Sequence, residues 1–301
     1  MADSDKAIES ATFLVQASGN LGAMEIGTFV GLILYGVTVA QAYHYFTKHG
    51  SDPVHTKLMV FVLMFLETFH TFVAAYAVYL ATVTHWSSER ANSYPIAITV
   101  LLEGIITTMV QSFFIFRIHR LSGRTLAPAF FLLLTVARFG GLMATSVLSF
   151  LDVPKTPNGL VPHDDRALIT ADLVIGAVTD LLIAITLSYD LRQMFTKFTT
   201  ARTAEALNRL IRLSLQTGII TSFVSFAILG TFTTMPNLVW LGLYIVSAKL
   251  YSVSMLIALN VRQLNRPLPG PTSKEPSCLV FANDQASTSN STDCAQNDLK
   301  V

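Results

Sequence analysis

The sequence predicts an all-α polytopic membrane protein: a seven-transmembrane helix bundle with a disordered C-terminal tail. Three observations carry this. Of the 301 residues, 52% are apolar and only 13% charged, about half the charge of an ordinary soluble domain. Seven stretches hold the roughly 20 predominantly apolar residues that a helix rising 1.5 Å per residue needs to cross a bilayer. From Val261 onward the chain turns polar, with Pro267, Pro269, Gly270 and Pro271 ahead of a Ser/Thr/Asn-rich stretch, a composition that cannot bury a core.

The expected spans are Leu21–Phe46, Leu58–Val83, Tyr94–Ile118, Leu126–Leu151, Ala167–Tyr189, Leu210–Thr234 and Leu238–Asn260. The last two are separated only by Met235, Pro236 and Asn237, where Pro236 cannot continue the preceding helix. The spans lack the polar stripe of a soluble helix and the period-two alternation of a membrane β-barrel. Short connections make successive helices antiparallel neighbours. The organisation expected is therefore a short extracellular N-terminus over 1–20, a helical domain over 21–262 and a disordered cytoplasmic tail over 263–301. Residues 1–19 lack the basic and apolar regions of a cleaved signal peptide, so insertion is expected to rest on the first span.

Orientation follows from Lys and Arg, which favour cytoplasmic connections. With the N-terminus outside, the inner segments hold Lys48, Lys57, Arg117, Arg120, Arg124, Arg192, Lys197, Arg202, Arg209, Arg212, Arg262, Arg266, Lys274 and Lys300. The outer segments hold Lys6, Arg90, Lys155 and Arg166; Arg138 and Lys249 lie within spans, so 14 + 4 + 2 accounts for all 20 basic residues. The sequon Asn290-Ser291-Thr292 stays unused on this topology. The chain is expected in the plasma membrane or an endomembrane, with the tail in the cytoplasm. The most basic connection joins spans five and six, where Arg192, Lys197, Arg202, Arg209 and Arg212 alternate with apolar residues. Its plainer explanation is the positive-inside bias; the other is a docking surface for a cytoplasmic partner or anionic headgroups. A net charge of +1 speaks against nucleic acid as a partner.

Ionisable residues at bilayer depth are expensive and mark candidate sites. Glu67, His70, Arg138, Asp180 and Lys249 fall near the midplane, Glu103 in the outer half, and Glu25 and Asp172 near the outer interface. The least costly arrangement pairs Arg138 and Lys249 with some of Glu67, Glu103 and Asp180. Asn260, Gln111, Gln216, Thr217 and Thr221 are expected to add polar groups to the same interior. The cluster is read either as a polar cavity for a ligand or proton relay, or as interhelical packing of charges and amides.

Catalytic and cofactor chemistries find little support. Both cysteines, Cys278 and Cys294, lie in the tail, so neither a core disulfide nor a cysteine metal cluster is expected. Only His70 among the histidines is deep, too few for a membrane zinc site or bis-histidine haem. Lys249 invites a retinal Schiff base, but Ile245 stands one turn earlier where microbial rhodopsins place an acid. Span three ends Phe116-Arg117-Ile118-His119-Arg120 without the acid that G-protein-coupled receptors place before the arginine. No phosphate-binding or nucleophile motif appears. No cofactor, metal or catalytic residue is therefore assigned.

Several short motifs occur in a recognisable order: Leu21-Gly22 with Gly27; Tyr35-Gly36, then Gln41, Tyr43 and Tyr45; Asp52 with Lys57; and Glu67-Thr68 with His70. They continue with Gln111, Phe113-Phe114 and Arg117-Ile118; Thr217-Gly218 and Thr221-Ser222; Lys249-Leu250-Tyr251-Ser252 with Ser254; and Leu259-Asn260 with Arg262. Over residues 20–265 this pattern resembles a fungal seven-helix membrane family catalogued as domain of unknown function 6534. The resemblance implies the fold and a fungal source, and no activity. It also implies that Glu67, His70 and Lys249 are better site candidates than Arg138. Three functions are consistent with this reading: a receptor-like sensor whose inner basic connection reads out a ligand in the polar core, a transporter or proton-coupled carrier, and a non-catalytic scaffold.

Overall fold

A computed structural model describes residues 2–48, 52–84, 93–123, 125–154, 166–197, 201–235 and 238–261, with the side chains of 2–20, 194–197, 201–215 and 217 left aside. The expected disordered tail and the sequon lie outside the described residues. Among the described residues the chain forms seven α-helices. They are α1 (Ala2–Lys48), α2 (Val54–Tyr79, continued by a π-helical turn Leu80–Thr84), α3 (Tyr94–Ser122), α4 (Leu126–Asp152), α5 (Arg166–Lys197), α6 (Ala201–Thr234) and α7 (Val239–Asn260).

Among the described residues six helices are long and apolar enough to cross a membrane, which makes the chain an integral membrane protein. Their apolar segments coincide with predicted spans one to five and seven to within four residues at each end. In α6 the described apolar segment is shorter, Gly218–Thr234. Local chemistry sets several boundaries. Pro53 precedes α2, Pro95 occupies the first turn of α3, and α3 stops at Gly123, whose φ of 64° is the left-handed conformation of a glycine C-cap.

α1 runs unbroken from Ala2, so it begins ahead of the first span, whose described apolar segment starts at Leu21. The basic connection between spans five and six consists largely of extensions of the two helices. Arg192 and Lys197 belong to α5, while Arg202, Arg209 and Arg212 belong to α6. No Gly or Pro interrupts residues 177–217, so nothing in the backbone forces either helix to stop early. Arg192 is exposed, and the other four side chains lie outside the described residues.

Neighbouring helices pack in chain order, and α7 closes the ring against α1. α3 also touches α5 and α7, and α7 also touches α2, so these two helices form the interior. The closest approach lies between α1 and α7. A Cβ on Gly27 would stand 2.5 Å from the carbonyl oxygen of Gly242, so both positions require the absence of a side chain. Large apolar side chains turn outward, among them Ile33, Phe61, Phe65 and Phe72, as a lipid-facing surface requires. Hydroxyls within the helices bond back to carbonyls one turn earlier, as Thr38 does to Leu34 at 2.9 Å and Thr99 to Pro95 at 2.8 Å. Such bonds satisfy polar groups without another helix.

Candidate functional site

The buried polar groups divide into two neighbourhoods that share α7. That helix carries Tyr244, Ser247 and Tyr251 at spacings of three and four, and Lys249 and Ser252 three apart on another face.

The first neighbourhood joins α7 to α2. Lys249 forms an ion pair with Glu67, and the two side chains are 1% and 0% exposed. The same ammonium reaches Thr71 Oγ1 at 2.7 Å, His70 Nδ1 at 3.0 Å and the Glu67 carbonyl at 3.3 Å. Ser252 donates to the other carboxylate oxygen of Glu67. An ammonium can only donate, so His70 Nδ1 must accept and its proton sits on Nε2. Nε2 is buried without a partner among the described residues. The Lys249 ammonium also lies 5.7 Å from the centroid of the Tyr35 ring, and Tyr35 bonds Thr68 at 2.9 Å. These acceptors account for all three donor positions of the buried Lys249 ammonium.

The second neighbourhood joins α3, α4, α5, α6 and α7. Asp180 accepts from Tyr251, from Gln111 Nε2 at 2.7 Å and from Ser225 at 3.2 Å. Glu103 accepts from Ser247 on one oxygen, while the other is buried without a partner among the described residues. Arg138 and Asp172 occupy reciprocal glycine seats between α4 and α5. A Cβ on Gly176 would lie 2.7 Å from Arg138 Nε, and a Cβ on Gly141 would lie 2.8 Å from Asp172 Oδ1. Arg138 thus lies over α5 between Asp172 and Asp180, with both acids within its electrostatic reach. Its Nε and Nη1 are buried without hydrogen-bond partners among the described residues, and so is Asp172 Oδ1.

Two clefts border this second neighbourhood. One, of about 40 Å³, lies between α3, α4, α5 and α7 and is lined by Asp172, Tyr244, Trp240, Thr145, Ser149 and apolar residues. The other, of about 30 Å³, is lined by Gln111, Asp180, Tyr251, Ser254 and Thr221. Neither is lined by Glu67, His70, Glu103 or Lys249.

The expected residues are thus divided. Glu67, His70 and Lys249 meet directly, whereas Glu103, Arg138 and Asp180 belong to the other group. Arg138 departs from the expectation that both interior bases pair: Lys249 forms an ion pair with Glu67, whereas Arg138 Nε and Nη1 have no hydrogen-bond partner among the described residues. Three neutral donors already surround Asp180, and Gly176 provides a seat for the guanidinium away from direct contact. Gln216 is exposed: it lies nine residues from Ser225, which at 100° per residue is the opposite side of α6. Thr221 is buried, and Asn260 Nδ2 donates to the Gln41 carbonyl at 3.0 Å. The side chain of Thr217 lies outside the described residues.

Sequence reasoning left out Thr71, Ser225, Tyr244, Ser247 and the seats Gly141 and Gly176 as members of the site. The glycines carried a signal, since Gly141 is three residues from Arg138 and Gly176 four from both Asp172 and Asp180. Among the described residues no group of three or more His, Cys, Asp or Glu is placed to hold a metal ion.

No curated protein and no solved structure matches the chain. A family model does: residues 176–264, from the Arg138 seat on α5 through α6 and α7, match the Family of unknown function (DUF6534), the family whose motif order the sequence resembles.

Proposed function

We propose that this chain crosses the membrane seven times, with the N-terminus outside and the tail in the cytoplasm, and that it acts as a receptor-like sensor. A small ligand enters the cleft between α3, α4, α5 and α7, and the basic inner ends of α5 and α6 present the change to a cytoplasmic partner. The observation that carries this reading is the cleft itself. Asp172 and Tyr244, each with a buried oxygen that has no hydrogen-bond partner among the described residues, line an otherwise mostly apolar space. A few polar groups in an apolar concavity are the pattern of a small-molecule site. Thr145 and Ser149 lie near the end of α4 and Ile169 near the start of α5, which the 14-to-4 charge bias assigns to the outer face.

Two helices connect the cleft to the rest of the bundle. α5 carries Asp172 at the cleft and Arg192 at its other end; α7 carries Trp240 and Tyr244 at the cleft and Lys249 in the buried ion pair. Glu67, His70 and Lys249 then serve as a lock between α2 and α7. A second reading, a proton-coupled carrier, is favoured by the Asp180 cleft on the far side of Arg138, which would give water access to both acids.

Spin labels on Arg192→Cys and Arg202→Cys, in a Cys278→Ser/Cys294→Ser background, separate these readings when combined with flux assays in liposomes. A sensor predicts that Asp172→Leu shifts the inter-label distance distribution and that a pH gradient drives no flux beyond protein-free vesicles. Flux abolished by Asp172→Asn or Asp180→Asn, with unchanged label distances, establishes the carrier instead.

A further inference from the structure

We propose that the cleft bounded by Asp172, Trp240 and Tyr244 binds a small organic ammonium ion, a protonated primary amine with a short apolar body. This names the ligand class of the sensor site and rests on that reading.

Charge is the first ground. Among the interior acids and strong bases, Glu67, Glu103, Asp172, Asp180, Arg138 and Lys249 are at most 6% exposed. Glu67 and Lys249 neutralise each other as an ion pair. Three carboxyl groups then share one guanidinium. A buried acid without a base is costly to ionise and is held neutral unless a cation is supplied, and an ammonium group beside Asp172 supplies one.

The lining of the cleft is the second ground. Asp172 and Tyr244 line the cleft, and each carries a buried oxygen without a hydrogen-bond partner among the described residues, Asp172 Oδ1 lying against Gly141. Trp240 and Tyr244 bring two π-systems to the same space, with ring centroids 6.4 Å apart. Carboxylate and aromatic faces together recognise an ammonium group. Arg138 does not line the cleft, so an anion would meet a carboxylate and only hydroxyl donors. A metal ion is disfavoured by the donor set, which includes a single carboxylate and mostly apolar walls.

Size is the third. About 40 Å³ accommodates roughly three water-sized groups, which fits an ammonium head and the first carbons of its chain.

The chain contains two tryptophans, Trp86 and Trp240. Trp86→Phe therefore leaves Trp240, in the cleft wall, as the only indole reporter. In nanodiscs of zwitterionic lipid at pH 7 and constant ionic strength, the variant is titrated with propylammonium, propanol and propionate. Propylammonium should change Trp240 emission saturably. Asp172→Asn should weaken that response at least tenfold, and Val100→Phe, which fills the cleft without altering charge, should abolish it. A silent propylammonium titration, or a response that survives in both variants, overturns the proposal. If propanol or propionate alone saturates the signal, the ammonium assignment falls while the small-molecule cleft stands. If no probe responds, both fall.

Discussion

Lys249→Met removes the cation of the most completely buried ion pair among the described residues. Its side chain is replaced by one of similar length, so the loss is chiefly electrostatic. The Glu67 carboxylate, 0% exposed, would keep only the hydroxyl of Ser252 as a donor, and Thr71 and His70 would lose their contacts with the ammonium. Breaking one partner of a buried pair costs about 3–5 kcal/mol, because the surviving charge stays desolvated. Glu67→Gln should cost a similar amount from the other side. The double variant, Glu67→Gln with Lys249→Met, leaves no uncompensated charge and should recover most of the loss. The cycle therefore predicts a coupling of at least about 2 kcal/mol, well above the roughly 0.5 kcal/mol within which independent sites add. Reversible unfolding in mixed SDS micelles, followed by far-UV circular dichroism, measures all four proteins on one scale. Strictly additive single losses would refute the idea that this pair acts as a unit. Full stability of Lys249→Met would refute its burial.

Other perturbations probe separate parts of the bundle. Gly27→Ala and Gly242→Ala each insert a methyl group into the α1–α7 crossing, where backbone atoms stand too close to yield; each should cost about 1–3 kcal/mol in the same assay. Gly176→Ala displaces the Arg138 guanidinium from its seat and should weaken ligand binding at the cleft. Gly230→Ala, with nothing within 4 Å of the added carbon, should leave stability within about 0.5 kcal/mol of the parent. Tyr251→Phe removes a donor from Asp180 and should cost about 1.5–3 kcal/mol, the range for hydrogen bonds to charged groups.

Much of the fold was legible because membrane insertion imposes a crude rule: a long apolar run must be a helix. Six spans could be read this way with little error. In the basic segment after Tyr189 the lengths of the helix extensions could not be read, because positive charge marks the side of the membrane and says nothing about where a helix ends. The interior acids and bases were also legible as a set, each being costly at its depth. Their partners were not, because pairing depends on the rotation of each helix about its axis. Lys249 could have met Asp180 or Glu103 from the sequence alone; the face it shares with Ser252 turns it toward α2 and Glu67 instead. Arg138 shows the same limit. Its position depends on a missing Cβ on another helix, Gly176, a relation visible only once α4 and α5 are packed. Gln216 illustrates the converse, since a polar residue in an apolar stretch can face away from the bundle interior.

The parity of the crossings tests the membrane arrangement most directly. Seven crossings put the two ends of the chain on opposite sides; six, with α6 failing to cross, put them on the same side. The native thiols, Cys278 and Cys294, report on the tail, and Ser4→Cys in a Cys278→Ser/Cys294→Ser background reports on the N-terminus. A membrane-impermeant maleimide applied to intact cells should label Ser4→Cys at once and reach Cys278 and Cys294 only after permeabilisation. In chain that reaches the cell surface, labelling of both ends in intact cells, or of neither, would contradict seven crossings; a reversed pattern would keep the number and overturn the orientation.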